Sequence, residues 1–164
     1  MRVDSLNIDT AFVAAKPENK ALVTAALRLL ARRDYPRAEF IKKLDAAAFD
    51  KQEIETVADW CHAQGFLNET RFAETTSRRL GAKYGTQRVV HTLRQKGVAE
   101  DHITAVISTL KESEADRACA LWTRKFGKVA ESADEKSKQI RYFQSRGFSF
   151  ATIKQVIAGT GEEH

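Results

Sequence analysis

Three stretches of the chain, FIKKLDAAAFDKQEIETV (residues 40–57), VVHTLRQKGVAEDHITAV (89–106) and QIRYFQSRGFSFATIKQV (139–156), align with one another without a gap. Their first residues lie 49 and then 50 positions apart. Five aligned columns are apolar in all three stretches: Ile41, Val90, Ile140; Leu44, Leu93, Phe143; Phe49, Val98, Phe148; Ile54, Ile103, Ile153; and Val57, Val106, Val156. A self-similarity of this period is typical of helical repeat proteins.

The columns predict a pair of helices joined by a tight hinge. The first two columns are three residues apart, as on one face of a helix, and the last two repeat this spacing. In the first stretch, Phe49 precedes Asp50, a favourable N-cap, and Glu53 follows three residues later as in a capping box. Ile54 is placed to pack back onto Phe49. We therefore expect a new helix to begin at this point of each repeat.

The other two stretches vary the same hinge. Ser149 is a good N-cap in the third stretch, whereas Ala99 is a poor one in the second. Gly97 and Gly147 precede the hinge, where a helix commonly ends on a left-handed residue, and the first stretch has Ala48 at this place. The hinge is therefore repeated in all three units, with Ala99 and Ala48 as departures from its pattern.

Composition supports an all-α fold, because the chain has only two prolines and eight glycines and its 43% hydrophobic content can bury a core. We expect three tandem three-helix repeats stacked into an elongated, curved helical array. The predicted helices are 18–33, 36–47, 50–63, 68–81, 86–96, 99–111, 114–126, 134–145 and 149–158. The predicted domains are repeat 1 (18–66), repeat 2 (67–111) and repeat 3 (112–160), between a flexible tail (1–17) and a C-terminal tail (161–164).

Nothing in the sequence indicates an enzyme, a cofactor or a metal site. Cys61 and Cys119 lack metal-like spacing and are interpreted as small core residues. No HExxH motif, Cys-His nucleophile pattern or phosphate-binding loop occurs. The histidines, none of which is interpreted as catalytic, are His62, His91, His102 and His164. Without a long apolar run or a secretory signal, the expected location is the cytoplasm and no membrane partner is expected.

The net charge of +5 is unevenly distributed. Residues 86–96 carry three cations and no acid, whereas residues 50–63 and 99–110 are net acidic. An acidic third helix argues against a helix-turn-helix that enters the DNA major groove. Base stacking on exposed rings is also disfavoured, because the large aromatics fall on apolar helix faces. Those interpreted as core residues are Trp60, Phe72, Trp122 and Phe143.

The cations of the second and third repeats form a candidate binding stripe for an anionic partner. Solvation of exposed helix faces is the alternative for any single residue. The members of this basic stripe are Arg71, Arg78, Arg79, Lys83, Arg88, Arg94, Lys96, Arg124, Lys125, Lys136, Lys138, Arg141 and Arg146.

Three motifs together resemble the RecX family of bacterial recombination regulators. They are GFLNETRFA (65–73), YGTQR leading to LRQKGV (84–98), and the segment 136–148 that ends in Arg-Gly-Phe. The likeness runs from about Ala21 to Gly159. Asn68-Glu69 stands where the family usually has two aspartates, yet Asn68 still suits an N-cap.

The resemblance implies a non-catalytic monomer of three three-helix repeats that acts in recombination and DNA repair. It implies binding to the RecA recombinase, usually as its filament on single-stranded DNA, with inhibition of strand exchange, ATP hydrolysis and co-protease activity. Weaker binding to free single- or double-stranded DNA is compatible with it. Two alternatives remain open from the residues alone, namely a sequence-nonspecific DNA-binding helical module and a helical-repeat scaffold for another protein.

Overall fold

A computed structural model of the protein describes residues 15–159, which form nine α-helices and no strand. The helices are α1 (Lys20–Leu30), α2 (Arg37–Asp45), α3 (Lys51–Ala63), α4 (Glu69–Gly81), α5 (Thr86–Gln95), α6 (Glu100–Glu112), α7 (Glu114–Lys125), α8 (Ala133–Ser145) and α9 (Phe150–Gly159). Every predicted boundary lies within three residues of the observed one. Apart from residues 15–17, the predicted tails lie outside the described residues.

The predicted N-caps are confirmed. The Asp50 carboxylate accepts hydrogen bonds from the amides of Gln52 and Glu53 at the start of α3. Asn68 caps α4 through the Arg71 amide, at 2.9 Å. The capping box differs from the prediction, because the Glu53 carboxylate accepts a hydrogen bond from Asn19 Nδ2 at 3.0 Å. Glu53 therefore links the start of α3 to the N-cap of α1.

The poor cap at Ala99 is supplemented by a residue from another helix. Ala99 N donates to Glu69 Oε1 at 3.3 Å, and His102 Nε2 lies 3.6 Å from Glu69 Oε2. Glu114 occupies the same place at the start of α7 and accepts hydrogen bonds from the amide and hydroxyl of Ser149. A glutamate at the first position of the first helix thus caps the third helix in two of the repeats.

The three hinges also share their left-handed residue. Gly97 has a φ of 79° and Gly147 a φ of 77°, as the sequence predicts. Ala48 adopts a φ of 60° at the equivalent place and is the one described non-glycine residue with a positive φ. A side chain there conflicts with the following carbonyl group, so repeat 1 has a strained hinge.

Each helix triplet encloses its own apolar core. Three of the repeated columns are buried in every triplet, and the four large aromatics predicted to be core are buried as well. Cys61 is buried, as predicted, but Cys119 is exposed, so its assignment to the core was wrong. The inner face of α7 carries Ala118, Leu121 and Trp122, which places Cys119 on the opposite side.

Repeats 2 and 3 meet through main chain. Gly85 N, at the N-cap of α5, donates to the carbonyl oxygen of Arg146 at 2.9 Å. A Cβ at Gly85 would lie 2.2 Å from Gly147 O, and a Cβ at Gly147 would lie 2.6 Å from Arg88 Cβ. Repeats 1 and 2 approach at the corresponding places, where a Cβ at Gly97 would lie 3.0 Å from Ala38 Cβ. Two glycines therefore allow the close contact between repeats 2 and 3.

Candidate functional site

The basic stripe lies on the helices and loops of repeats 2 and 3, and its members are exposed except for Arg146, which is half-buried. They differ in what their charges contact. They fall into three groups: cations paired with a carboxylate, cationic residues at the contact between repeats 2 and 3, and exposed cations that make neither contact.

Two members are neutralised. The Arg71 guanidinium binds the Asp34 carboxylate of the α1–α2 loop, with Nε 2.9 Å from Oδ2 and Nη2 2.5 Å from Oδ1. Arg94 binds Glu100 in the same forked manner, with Nε 2.6 Å from Oε1, and this contact lowers the pKa of Glu100. Arg71 therefore joins repeat 1 to repeat 2. The guanidinium groups of Arg71 and Arg94 each have a carboxylate partner within the chain.

A second group surrounds Tyr84. The Arg88 guanidinium lies over the Tyr84 ring, 4.3 Å from its centroid, and donates to Ser145 O at 3.1 Å. The Arg146 guanidinium lies 4.5 Å from the centroid of Tyr142 and 5.6 Å from that of Tyr84. These contacts hold cations of repeats 2 and 3 against shared rings.

Three further cationic residues belong to this contact, and of these Lys125 approaches a ring with its charged group whereas Lys83 takes part through its main-chain carbonyl. Arg146 Nη1 approaches Lys83 O at 3.4 Å, and Arg124 Nη2 lies 3.5 Å from Ala82 O. Lys125 Nζ lies 5.7 Å from the centroid of Tyr142. Together these residues form what we call the Tyr84 cluster: Tyr84 and Tyr142 with Lys83, Arg88, Arg124, Lys125 and Arg146.

The positive charge of the Tyr84 cluster is not balanced locally. None of its five cations forms an ion pair with a carboxylate of residues 15–159. The hydrogen bonds of its three arginines go to main-chain carbonyl groups, two of which, Ala82 O and Lys83 O, lie just after the end of α4, where the helix dipole favours cations. Such an arrangement holds the guanidinium groups in place while their charge remains available to an anion.

A polar cleft of 530 Å³ adjoins the cluster, where α5 faces the end of α8. Arg88 belongs to the Tyr84 cluster and also lines the cleft, which continues along Gln87, His91 and Gln144. No carboxylate is among its described lining residues. The cleft therefore presents amide, imidazole and hydroxyl groups beside the uncompensated cations.

The remaining stripe members are exposed and make none of these contacts. None of them forms an ion pair within the described chain. They are Arg78, Arg79, Lys96, Lys136, Lys138 and Arg141. The structure therefore brings the charged groups of four of the thirteen predicted residues, Arg88, Arg124, Lys125 and Arg146, to this contact, and Lys83 joins them through its main-chain carbonyl.

Sequence reasoning missed two polar residues between repeats 2 and 3. All five N–H groups of Arg117 are used, including bonds from Nη1 to Gly81 O at 2.6 Å and to Tyr84 O at 2.7 Å, and burial lowers its pKa. Glu114 accepts from the Thr86 amide at 2.8 Å and the Thr152 hydroxyl at 2.7 Å. Burial alone raises the pKa of Glu114, but its hydrogen bonds lower it overall.

The role of Glu114 is indicated in the sequence by its position relative to the helix that it begins. Glu69 and Glu114 both open a first helix directly after a capping position. These two residues are 45 positions apart, whereas the second and third helices of the same repeats are 50 apart. An alignment without gaps therefore cannot pair them.

The described residues show no group of His, Cys, Asp and Glu arranged to hold a metal ion. None of the described helices is both long enough and apolar enough to span a bilayer.

The sequence of the chain matches those of a known family. Residues 68–107 match the model of the second three-helix domain of RecX, and residues 112–157 match that of the third. The chain is 36% identical over 142 residues to the regulatory protein RecX of Ralstonia pickettii (strain 12J), an alignment that covers 87% of this chain and 89% of the relative. It is also 36% identical over 152 residues to the regulatory protein RecX of Leptothrix cholodnii, covering 93% and 97% of the two chains.

The fold is similar to that of a solved structure at low sequence identity. The crystal structure of RecX from Lactobacillus salivarius superimposes with a TM-score of 0.74 at 18% identity, covering 86% of this chain and 95% of that one. The helical repeat array is thus shared with this relative. On its sequence relatives and matched domains, the chain belongs to the RecX family of regulatory proteins.

Proposed function

We propose that this protein binds the RecA recombinase as its filament on single-stranded DNA and inhibits ATP hydrolysis, strand exchange and co-protease activity. The observation that carries the proposal is the Tyr84 cluster, whose five cations have no carboxylate partner among residues 15–159 and whose three arginines are held at the contact between two repeats. Filament DNA and acidic protein surface are both anionic, and both suit such a site. The RecX family membership supplies the recombinase as the target.

Within the stripe, we assign the main contacts to the Tyr84 cluster. Arg71 and Arg94 already bind Asp34 and Glu100, so an anionic partner would compete with those carboxylates for the two guanidinium groups. The six separate cations are assigned secondary contacts, because their long side chains lose more conformational entropy when a partner orders them.

The test removes three charges from the cluster without touching its stacked arginines. The variant Lys83→Gln, Arg124→Gln, Lys125→Gln is expected to weaken inhibition of RecA ATPase on single-stranded DNA at least about tenfold, since each lost contact contributes roughly 0.5–1 kcal/mol. The matched control, Arg32→Gln, Lys42→Gln, Lys43→Gln, removes three exposed cations from repeat 1. Equal inhibition by both variants, with unfolding midpoints unchanged, would contradict the assignment.

A second candidate function is binding to free DNA without sequence preference. The polar cleft beside the cluster favours it, because donors without a neighbouring carboxylate suit a phosphate backbone. Salt titration distinguishes the two functions. Tight binding to naked DNA with a steep loss of affinity in salt supports the DNA module, whereas binding that requires assembled filament supports the regulator.

A further inference from the structure

Four consecutive carbonyl groups, those of residues 81–84, each accept a hydrogen bond from an arginine side chain. They lie at the C-terminal end of α4 and in the loop that leads to α5. Carbonyl groups at the end of a helix lack a partner within it, and the helix dipole favours a cation there. The second and third groups bind Arg124 and Arg146 of the Tyr84 cluster. The first and fourth bind Arg117, which is not a member of the stripe.

The guanidinium group of Arg117 is held from two sides. Its Nη1 donates to Gly81 O at 2.6 Å and to Tyr84 O at 2.7 Å. Its Nη2 donates to Leu110 O at 2.9 Å and its Nε to Ser113 Oγ at 3.0 Å, both at the C-terminal end of α6. Gly81 leaves room for the group, because a Cβ there would lie 3.3 Å from Nη1. The end of α6 therefore fixes the guanidinium, and the guanidinium fixes the α4–α5 loop.

The same loop supports the arginines of the Tyr84 cluster. Tyr84 lies in this loop, and the centroid of its ring is 4.3 Å from the guanidinium of Arg88 and 5.6 Å from that of Arg146. Arg124 and Arg146 also donate to carbonyl groups of the loop. The placement of these three cluster arginines therefore depends on a loop conformation to which Arg117 is bonded at both ends.

Arg117 itself offers nothing to a partner. Its side chain is half-buried and its five N–H groups are all engaged within the chain. A lysine could not replace it, because an ammonium group has three donors at one point and cannot bond the loop and the end of α6 together. Any contribution of Arg117 to binding must therefore act through other residues.

We infer that Arg117 is a positioning residue of the Tyr84 cluster, which fixes the α4–α5 loop so that Arg88, Arg124 and Arg146 are ordered before an anionic partner binds. A side chain that is already ordered loses less conformational entropy on binding. The inference rests on the proposed function, in which the Tyr84 cluster makes the main contacts to the filament.

Arg117→Lys keeps the positive charge but removes the forked contacts. We expect it to weaken inhibition of RecA ATPase about tenfold, because the cluster arginines must then be ordered by the partner. The control is Asp50→Ala, which removes the N-cap of α3 in repeat 1 and also lowers Tm. This control is expected to inhibit within about twofold of wild type when both variants are assayed well below their Tm. Equal inhibition by the two variants would overturn the inference.

NMR spectroscopy reports the placement of the cluster in the free protein. The Arg88 guanidinium lies over the Tyr84 ring, so the ring current shifts the side-chain protons next to it. In Arg117→Lys the ring-current shift of the Arg88 Cδ protons is expected to fall to less than about half of its wild-type size, and in Asp50→Ala to persist. A purely structural role, which lowers Tm without moving the loop, would leave this shift unchanged in both variants, and that result would overturn the inference.

Gly81→Ala is a milder variant that keeps Arg117. The new Cβ lies 3.3 Å from Nη1 and displaces the guanidinium by about a few tenths of an ångström, while alanine favours the helix more than glycine does. We expect inhibition to weaken about threefold and the Arg88 shift to decrease, without a fall in Tm. If Arg117→Lys does not fold, this variant decides: wild-type inhibition together with a wild-type Arg88 shift would overturn the inference.

Failure of the positioning role can be distinguished from failure of the proposed function. If the wild type inhibits, and removal of the charges of Lys83, Arg124 and Lys125 weakens inhibition while Arg117→Lys does not, the positioning role is wrong and the proposed function stands. If the wild type does not inhibit RecA ATPase, the proposed function is wrong, and the Arg88 shift in the free protein then decides the positioning role alone.

Discussion

Single carboxylates position the third helices of repeats 2 and 3. Glu69 accepts from the Ala99 amide, and Glu114 accepts from Ser149 and Thr152 and also from Thr86 in the preceding repeat. Because Glu114 is 5% exposed, its negative charge depends on these donors rather than on water. At the residue scale, Glu114 links the start of α9 with the start of α5.

The bonds of Glu114 predict an acid-sensitive contribution to stability. Its pKa in the folded protein lies below the ordinary 4.5, so the stabilisation is complete above that value and is lost as the pH falls through the folded pKa. Glu114→Gln is expected to lower the free energy of unfolding at pH 7 by about 2 kcal/mol. Urea unfolding between pH 7 and pH 3 should show this difference shrink in acid.

Glu18→Gln is the control for that measurement, since Glu18 is exposed and forms no hydrogen bond or ion pair with the described residues. It is expected to leave the unfolding free energy within about 0.5 kcal/mol of wild type. A wild-type advantage over Glu114→Gln that grows toward low pH would contradict the assignment.

The left-handed alanine of repeat 1 gives a second prediction at this scale. Ala48→Gly removes the clash at a φ of 60° and is expected to stabilise the protein by about 1 kcal/mol. The reverse change at the equivalent hinge, Gly97→Ala, is expected to cost at least about 1 kcal/mol, because its new Cβ also lies 3.0 Å from Ala38 Cβ. Urea unfolding of both variants checks the pair, and destabilisation by Ala48→Gly would disprove the strain.

At the scale of the elements, the helices were predictable because their signals are local. Asp50, Asn68 and Ser149 cap within three residues, and the apolar columns recur within each helix. The contact between repeats 2 and 3 was not predictable, since it joins Gly85 to Arg146 across 61 positions of sequence. In the sequence, Gly85 is explained by its place at the start of a helix and Gly147 by its place at the end of one. Only the tertiary contact shows that neither position has room for a side chain.

That contact leads to a prediction about how the elements are joined. Gly85→Ala would place a Cβ 2.2 Å from Gly147 O, so we expect a loss of about 2–3 kcal/mol in unfolding free energy. Hydrogen exchange is expected to show faster opening of the α5 start and the α8 end. Gly159→Ala, where nothing lies within 4 Å of the new Cβ, is the neutral control. Equal stability of the two variants would contradict the close packing.

At the scale of the whole molecule, the thirteen stripe residues followed from charge distribution, but their division into groups did not. Arg71 and Arg94 look like Arg88 in the sequence, yet Asp34 and Glu100 neutralise only the first two. The partner of Arg71 lies 37 residues away on repeat 1. Which cations remain available therefore depends on how the repeats pack.

The two contacts between repeats are expected to differ in strength. Arg71 and Asp34 form an exposed pair, with side chains 49% and 25% accessible, so solvent screens their attraction. A double-mutant cycle with Arg71→Ala and Asp34→Ala is expected to give a coupling energy of at most about 1 kcal/mol. A value above about 2 kcal/mol would show that this pair is a principal link between repeats 1 and 2.

The main-chain contact at Gly85 has a consequence for how the surface can vary. The amide of Gly85 donates to the carbonyl of Arg146, so the approach of repeats 2 and 3 at this point is set by the main chain and not by a side chain. Substitutions on the exposed faces can change which charges are presented without altering that approach. The main-chain separation of repeats 2 and 3 at this contact is therefore independent of the surface sequence, and we expect variants with different exposed charges to keep it.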